Sequence, residues 1–320
     1  MQHVLPQLTG RRILVIGDLS LDEYLFGRAT RLSREAPIPV LELERREIIL
    51  GGAANPARNI VALDSSATLI ALVGADSEGD QVHDALRSAN IIPALITTPD
   101  RPTTRKTRIL SHEPPRLPQQ LARLDRLDRS PLMPSDEDLV IAALETHLPG
   151  CDALLCSDYQ LGLLTPRVVD AARRLCRTHH ALLTVDAQGN ADYYHDVDLF
   201  RCNDREAATT LGRPLRSEAD FRAGLRELHQ RLNARLIIVT RGPEGLALLG
   251  DDLDYTSLPA VNISEVYDTT GAGDTFIAVA TLGLAGGISP LAAARIANRA
   301  AGLVVRKFGN AVVGLAELGG

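Results

Sequence analysis

The stretch RILVIGD, residues 12–18, is an almost unbroken apolar run that stops at Gly17-Asp18. A strand with one wet face alternates apolar and polar residues, so a continuous run of this length predicts a strand buried on both faces. The signature returns in ATLIALVG (67–74), DALLCSD (152–158), ALLTVDA (181–187) and ARLIIVTRG (234–242). Helical patterns lie among these runs: AANPARNIVALD (53–64), SEGDQVHDALRSAN (77–90), TPRVVDAARRLCRTH (165–179) and SEADFRAGLRELHQRLN (217–233). Several open on Ser or Thr, the residues that cap a helix N-terminus. Buried strands alternating with helices predict an α/β fold with a doubly wound, mostly parallel sheet. In such a sheet ligands gather beyond the carboxyl ends of the strands.

Two stretches break the alternation. YLFGRATRLSREAPIPVLELERREIIL (24–50) and IPALITTPDRPTTRKTRILSHEPPRLPQQLARLD (92–125) alternate apolar with polar residues and carry prolines, which predicts antiparallel strands. Both leave the main sheet and return, so they are expected to form one small four-stranded sheet over the strand ends, a lid. Residues 1–320 are then one domain with an appendage. Exposed edges on the lid sheet invite a homodimer through it.

A net charge of −6 advertises no basic face, which argues against nucleic acid or an anionic membrane as partner and for a small molecule. Cys151, Cys156, Cys176 and Cys202 lack C-x-x-C spacing, as expected of reduced thiols in a cytosol. MQHVLPQLTGRR at the start has no apolar core of a signal peptide, and no run reaches the ~18 apolar residues of a membrane helix. The expected location is the cytoplasm.

Chemistry concentrates in VYDTTGAGDTF (266–276), which joins late strands expected over 253–267 to a helix expected to begin near Ala272. Gly271 and Gly273 permit a tight turn and leave N–H groups free at a helix N-terminus, a cradle for phosphate. A carboxylate there, Asp274, would repel phosphate unless it faced a second substrate and accepted its hydroxyl proton. The plainer reading is an acidic residue complementing a helix dipole. In GDLSLDEY (17–24), Asp18 and Asp22 lie at the sheet edge and suit sugar hydroxyls, or else form a turn and cap. In GGAANPARN (51–59), Gly51 and Gly52 allow close backbone approach, and Asn55 offers an amide to a hydroxyl.

Residues 51–55 and 268–274 resemble the two signatures of the ribokinase-like, phosphofructokinase-B type carbohydrate kinases, and the likeness extends over nearly the whole chain. It implies an ATP-dependent kinase with magnesium, and leaves activation by a monovalent cation open. By the resemblance Asp274 is the base, with Gly271, Ala272 and Gly273 forming the anion hole. Asn203 and Glu206 in NDRE are similar to an N-x-x-E that organises magnesium through water. Thr240, Gly242 and Gly245 in TRGPEG, with Thr270 and Asn298, are the implied nucleotide contacts. The lid segments further resemble the heptose 7-phosphate kinase domain of ADP-heptose synthesis proteins, implying a sugar phosphate near Lys106, Arg108 and Arg123. Two lysines of that subfamily are replaced here by Leu161 and Gln188, so the phosphate would be held mainly from the lid. The alternatives are a kinase for another sugar or nucleoside, and a sugar-binding regulator that kept the fold without turnover. An oxidoreductase is a weaker rival, because the first strand lacks G-x-G-x-x-G.

Overall fold

The computed structural model describes residues 2–112, 118–262, 266 and 268–319. In chain order its first strands are β1 (Arg12–Gly17), β2 (Leu19–Leu32), β3 (Pro39–Gly52), β4 (Ser66–Gly74), β5 (Ile92–Thr98), β6 (Arg105–Ser111) and β7 (Gln119–Arg126). They are followed by β8 (Ala153–Asp158), β9 (Leu182–Ala187), β10 (Leu199–Asn203), β11 (Leu236–Thr240), β12 (Leu246–Gly250) and β13 (Leu253–Leu258). The helices are α1 (Ala54–Ala62), α2 (Ser77–Ser88), α3 (Pro134–His147), α4 (Pro166–His179), α5 (Asp204–Leu211), α6 (Glu218–Leu232), α7 (Ala272–Ala285), α8 (Pro290–Val304) and α9 (Leu315–Gly319).

Among the described residues, nine strands form the main sheet in the order β13-β12-β11-β10-β9-β8-β1-β4-β5. β11 through β5 run parallel, and β12 and β13 turn back antiparallel at one edge. Alternation along β1 explains its unbroken apolar run. Ile13 and Val15 pack with α1, α7 and α8, while Leu14 and Ile16 pack with α3, α4 and α6 on the other face.

The lid is the sheet β3-β2-β6-β7. β2–β3 and β6–β7 are antiparallel hairpins, as expected, and a parallel pair, β2 with β6, joins them. Two boundaries differ from the sequence expectation. β2 begins at Leu19, so the chain enters the lid directly from β1 with only Asp18 between. Residues 92–98 are not lid but β5, the edge of the main sheet beside β4. Pro93 and the polar alternation that suggested a lid strand are what a half-exposed edge position tolerates. Residues 113–117 of the expected lid, and 263–265 and 267 of the expected late strand, lie outside the described residues. All four cysteines are free thiols.

Candidate active site

α7 starts where the DTTGAGD stretch turns into a helix. Gly271, its N-cap, has φ 79°, and a Cβ there would stand 2.5 Å from the Asn55 side-chain nitrogen, so glycine is required twice over. The first N–H groups of the helix, at Ala272 and Gly273, have no intrahelical acceptor and carry the positive end of the dipole. Gly273 leaves room for the Arg201 guanidinium, which would approach a Cβ to 2.8 Å. Arg201 is fixed by Asp186 at 2.8 Å and by the Thr240 hydroxyl at 2.6 Å, so the ends of β9, β10 and β11 meet under the helix start. Partly neutralised by Asp186, the guanidinium stands beside the helix start where a transferring phosphoryl group would sit.

Asp274 is buried in the first turn of α7. Asn55 donates to its Oδ2 at 2.8 Å, and the Tyr159 hydroxyl donates to its Oδ1 at 2.5 Å. Burial raises its carboxyl to about 6; the two donors and Arg201 oppose that rise, and Asp186 adds to it. The group is therefore ionised at neutral pH yet close enough to it to exchange a proton.

Asp22 and Asn55 bound the space on the lid side. The Asn310 side chain donates to Asp22 Oδ2 at 2.9 Å, and Arg108 reaches the same oxygen at 3.3 Å. A Cβ on Gly51 would come within 2.8 Å of the Asp22 carboxylate, which is why glycine stands there. Gly52 has φ 58° and passes the Asp18 carbonyl closely. Lys106 pairs with Asp22 across the β2–β6 register and with Asp125 across β6–β7, and Arg108 pairs with Tyr24 and Arg123. These residues share the lid face turned to the site. Lys106 Nζ lies 5.2 Å above the Tyr159 ring. Arg123 is half exposed and held by Asp125 at 2.9 and 2.7 Å, so its charge is partly neutralised. Asn55 Oδ1 and Tyr24 Oη are buried without hydrogen-bond partners among the described residues, and Arg108 Nη1 has its ion pair with Asp22 at 3.3 Å but no hydrogen bond.

The Asp18 carboxylate accepts the backbone N–H groups of Tyr159 and Leu161 at 2.9 Å and of Leu163 at 3.4 Å, fastening the loop after β8. Burial, then Asp158, raises its carboxyl to about 6 against those three donors. Leu161 is buried, and Gln188 offers its carbonyl to Gln160. Asn203 and Glu206 form a capping box on α5. The Asn203 side chain accepts from the N–H groups of Arg205 and Glu206, and Glu206 Oε2 accepts the Asn203 N–H at 2.6 Å. Burial raises the Glu206 carboxyl. Gly242 and Gly245 shape a tight turn against β13, Thr270 donates its N–H to Asp268, and Asn298 on α8 donates to the Pro259 carbonyl.

Tyr159, Asp186, Arg201 and Asn310 were not expected from the sequence. Tyr159 and Asp186 stand at the carboxyl ends of β8 and β9, the location that could have drawn attention to them, whereas Arg201 is the middle residue of β10.

The description of the pfkB family carbohydrate kinases matches residues 11–313. Bifunctional protein HldE of Caulobacter vibrioides is 39% identical over 324 residues, covering 99% of this chain and 65% of that protein. Bifunctional protein HldE of Geobacter metallireducens is 38% identical over 309 residues, covering 95% and 61%. The chain thus spans less than two thirds of the length of these relatives. Phosphofructokinase-2 from Escherichia coli in complex with potassium has a TM-score of 0.80 at 19% identity over 97% of both chains. Arabidopsis thaliana ribokinase complexed with ribose and ATP has a TM-score of 0.72 at 17% identity, over 97% of this chain and 96% of that one. At such identities the likeness is one of fold. Matched from residue 11 to residue 313, the chain belongs to the pfkB family of carbohydrate kinases and is an ATP-dependent enzyme of that family.

Proposed function

We propose that the chain transfers the γ-phosphoryl group of ATP to the anomeric hydroxyl of D-glycero-D-manno-heptose 7-phosphate. The observation that carries this reading is the group of unsatisfied buried atoms on the sugar side. Asn55 Oδ1 and Tyr24 Oη lack partners that hydroxyls would supply, and Arg108 Nη1, ion-paired with Asp22 Oδ2 at 3.3 Å but without a hydrogen bond, keeps a donor that a phosphate would take. Asp22 orients the sugar, and Asp274 accepts the proton of the attacking hydroxyl. The amides of Ala272 and Gly273 and the Arg201 guanidinium stabilise charge on the moving phosphoryl group. Nucleotide lies along the 240–245 turn, Thr270 and Asn298. Lys106 and Arg108, with Arg123 beside them, hold the sugar's phosphate from the lid.

The residues also suit magnesium, an ion that keeps its waters and binds through one or two carboxylates plus substrate phosphates. The cap occupies Glu206 Oε2 and leaves Oε1 for an ion-bound water, with Asn203 beside it. Bound there, magnesium would neutralise phosphate charge. Monovalent-cation activation stays part of the proposal, tested by titrating potassium against turnover.

The alternatives are a kinase for another sugar or nucleoside and a sugar-binding regulator without turnover; Leu161 and Gln188, standing where the heptose 7-phosphate kinases carry lysines, favour an unphosphorylated sugar. A panel of free and 7-phosphorylated heptoses and hexoses with ATP and magnesium decides. A higher kcat/KM for the free sugar removes the heptose 7-phosphate assignment and leaves the sugar kinase.

We place the enzyme in the cytoplasm; among the described residues no helix is long and apolar enough to cross a membrane. Pairing of two copies through the lid is favoured by its outer face, where Leu43 and Leu124 are 65% and 64% exposed. Sedimentation as a monomer at micromolar concentration would remove the dimer.

A further inference from the structure

We propose that Tyr159 is a positioning residue for the base, and that Asp18 acts through Tyr159 and makes no contact with the sugar. The inference rests on the reading of Asp274 as base and adds what holds that base in place. Three observations converge. The Tyr159 hydroxyl donates to Asp274 Oδ1 at 2.5 Å while Asn55 takes Oδ2, so the carboxylate is gripped at both oxygens and its plane is fixed. Tyr159 follows directly on β8, and its own backbone N–H is tied to Asp18 Oδ2 at 2.9 Å, as is that of Leu161. The tether to Asp18 holds the backbone from which the ring spans the end of β8 to Asp274 at the start of α7. Finally, Lys106 of the lid lies over the ring at 5.2 Å, so lid and base rest on the same side chain.

A hydroxyl that donates to a carboxylate stabilises its ionised form and blocks rotation of the group. Both effects serve a base that must stay ionised and aimed at one hydroxyl. Asp186 and Arg201 bear on Asp274 from β9 and β10 and Asn55 from α1. Beyond the tyrosine stand Lys106 from the lid and Asp18 at the end of β1. Removing the tyrosine hydroxyl leaves all of these in place.

The sugar does not need Asp18 on this account, which separates it from Asp22. Asp22 accepts from Asn310 and approaches Arg108 on the lid face, whereas the Asp18 carboxylate accepts from backbone N–H groups of the loop after β8.

Steady-state kinetics of Tyr159→Phe, Asp18→Asn and Asp274→Asn across pH 5 to 9 test the inference. Tyr159→Phe is expected to lower kcat about tenfold at pH 8.5, the low end for losing a hydrogen bond to a charged group. Without that donor the carboxyl titrates higher, so the acid limb of kcat/KM is expected to move up by about one pH unit. KM for sugar and ATP should stay within about twofold. Asp18→Asn should shift kcat and the acid limb in the same direction, again with the sugar KM unchanged. Circular dichroism confirms folding, and if one of these two variants does not fold the other carries the test alone. Wild-type kcat and acid limb in Tyr159→Phe, with Asp274→Asn inactive, overturn the tyrosine's role and leave the base intact. A raised sugar KM at unchanged kcat in Asp18→Asn overturns the assignment of Asp18. Near-normal turnover of Asp274→Asn overturns the base reading and this inference together.

Discussion

Asp274→Asn should stabilise the folded protein at pH 8 while removing its turnover. The carboxyl is 7% exposed and titrates near 6 in place of its ordinary 3.8. Because the folded value is raised, the folded state binds a proton more tightly than the unfolded chain, and stability declines as pH rises from about 4 to about 6 and is level above. The difference of about two pH units corresponds to about 3 kcal/mol at pH 8, at 1.36 kcal/mol per unit. Asparagine removes that cost but can accept from only one of the two donors, Asn55 and Tyr159, which returns about 1–2 kcal/mol. The expected net gain is about 1–2 kcal/mol, a few degrees in Tm for a chain of this size. Calorimetry at pH 8 and pH 4.5, with a coupled assay at pH 8, measures all of it. Tm should rise at pH 8 and the gain should vanish or reverse at pH 4.5, while kcat falls by at least ~10²-fold. A variant less stable at pH 8, or stabilised equally at both pH values, would refute the picture of an ionised carboxylate held at a cost.

Glu206→Gln should raise the magnesium concentration for half-maximal rate and leave Tm within about two degrees, since glutamine still accepts the Asn203 N–H of the capping box; a magnesium titration checks it. Arg108→Ala should raise KM for the phosphorylated sugar by about tenfold or more with little change for ATP, the loss of one charge-assisted contact. Gly51→Ala should raise the sugar KM in the same way, because the new Cβ would stand 2.8 Å from the Asp22 carboxylate and displace it; unchanged sugar kinetics would mean that Asp22 does not touch the substrate.

The parts of the fold that the sequence made legible are those whose burial is uniform. β1, β4, β8, β9 and β11 are covered on both faces over most of their length, so each reads as an apolar run whatever its neighbours. β10 escaped because it has five residues with Arg201 in the middle, and an arginine in a central strand makes sense only when Asp186 and Thr240 flank it. β5 was misassigned because an edge strand and a lid strand carry the same half-exposed pattern. Gly271 and the position of Asp274 were legible because a turn and a helix start are local, whereas the bond from Asn55 to Asp274 joins residues far apart in sequence. Tyr159 and Arg201 owe their roles to strand order, which places residues far apart in sequence side by side. The position of Asp18 was legible, but not its partners, since nothing short of the fold sets it beside the loop after β8.

The parallel pairing of β2 with β6 has a kinetic consequence. β4, α2 and β5 lie between these two strands in the chain and belong to the main sheet, so pairing β2 with β6 closes a loop that contains a piece of that sheet. Pairings of long sequence separation form late and cost the most loop entropy. The lid's two hairpins, fused along one seam, are therefore expected to open together. Native-state hydrogen exchange should register β2 and β6 as a single cooperative unit that unlocks before the main sheet.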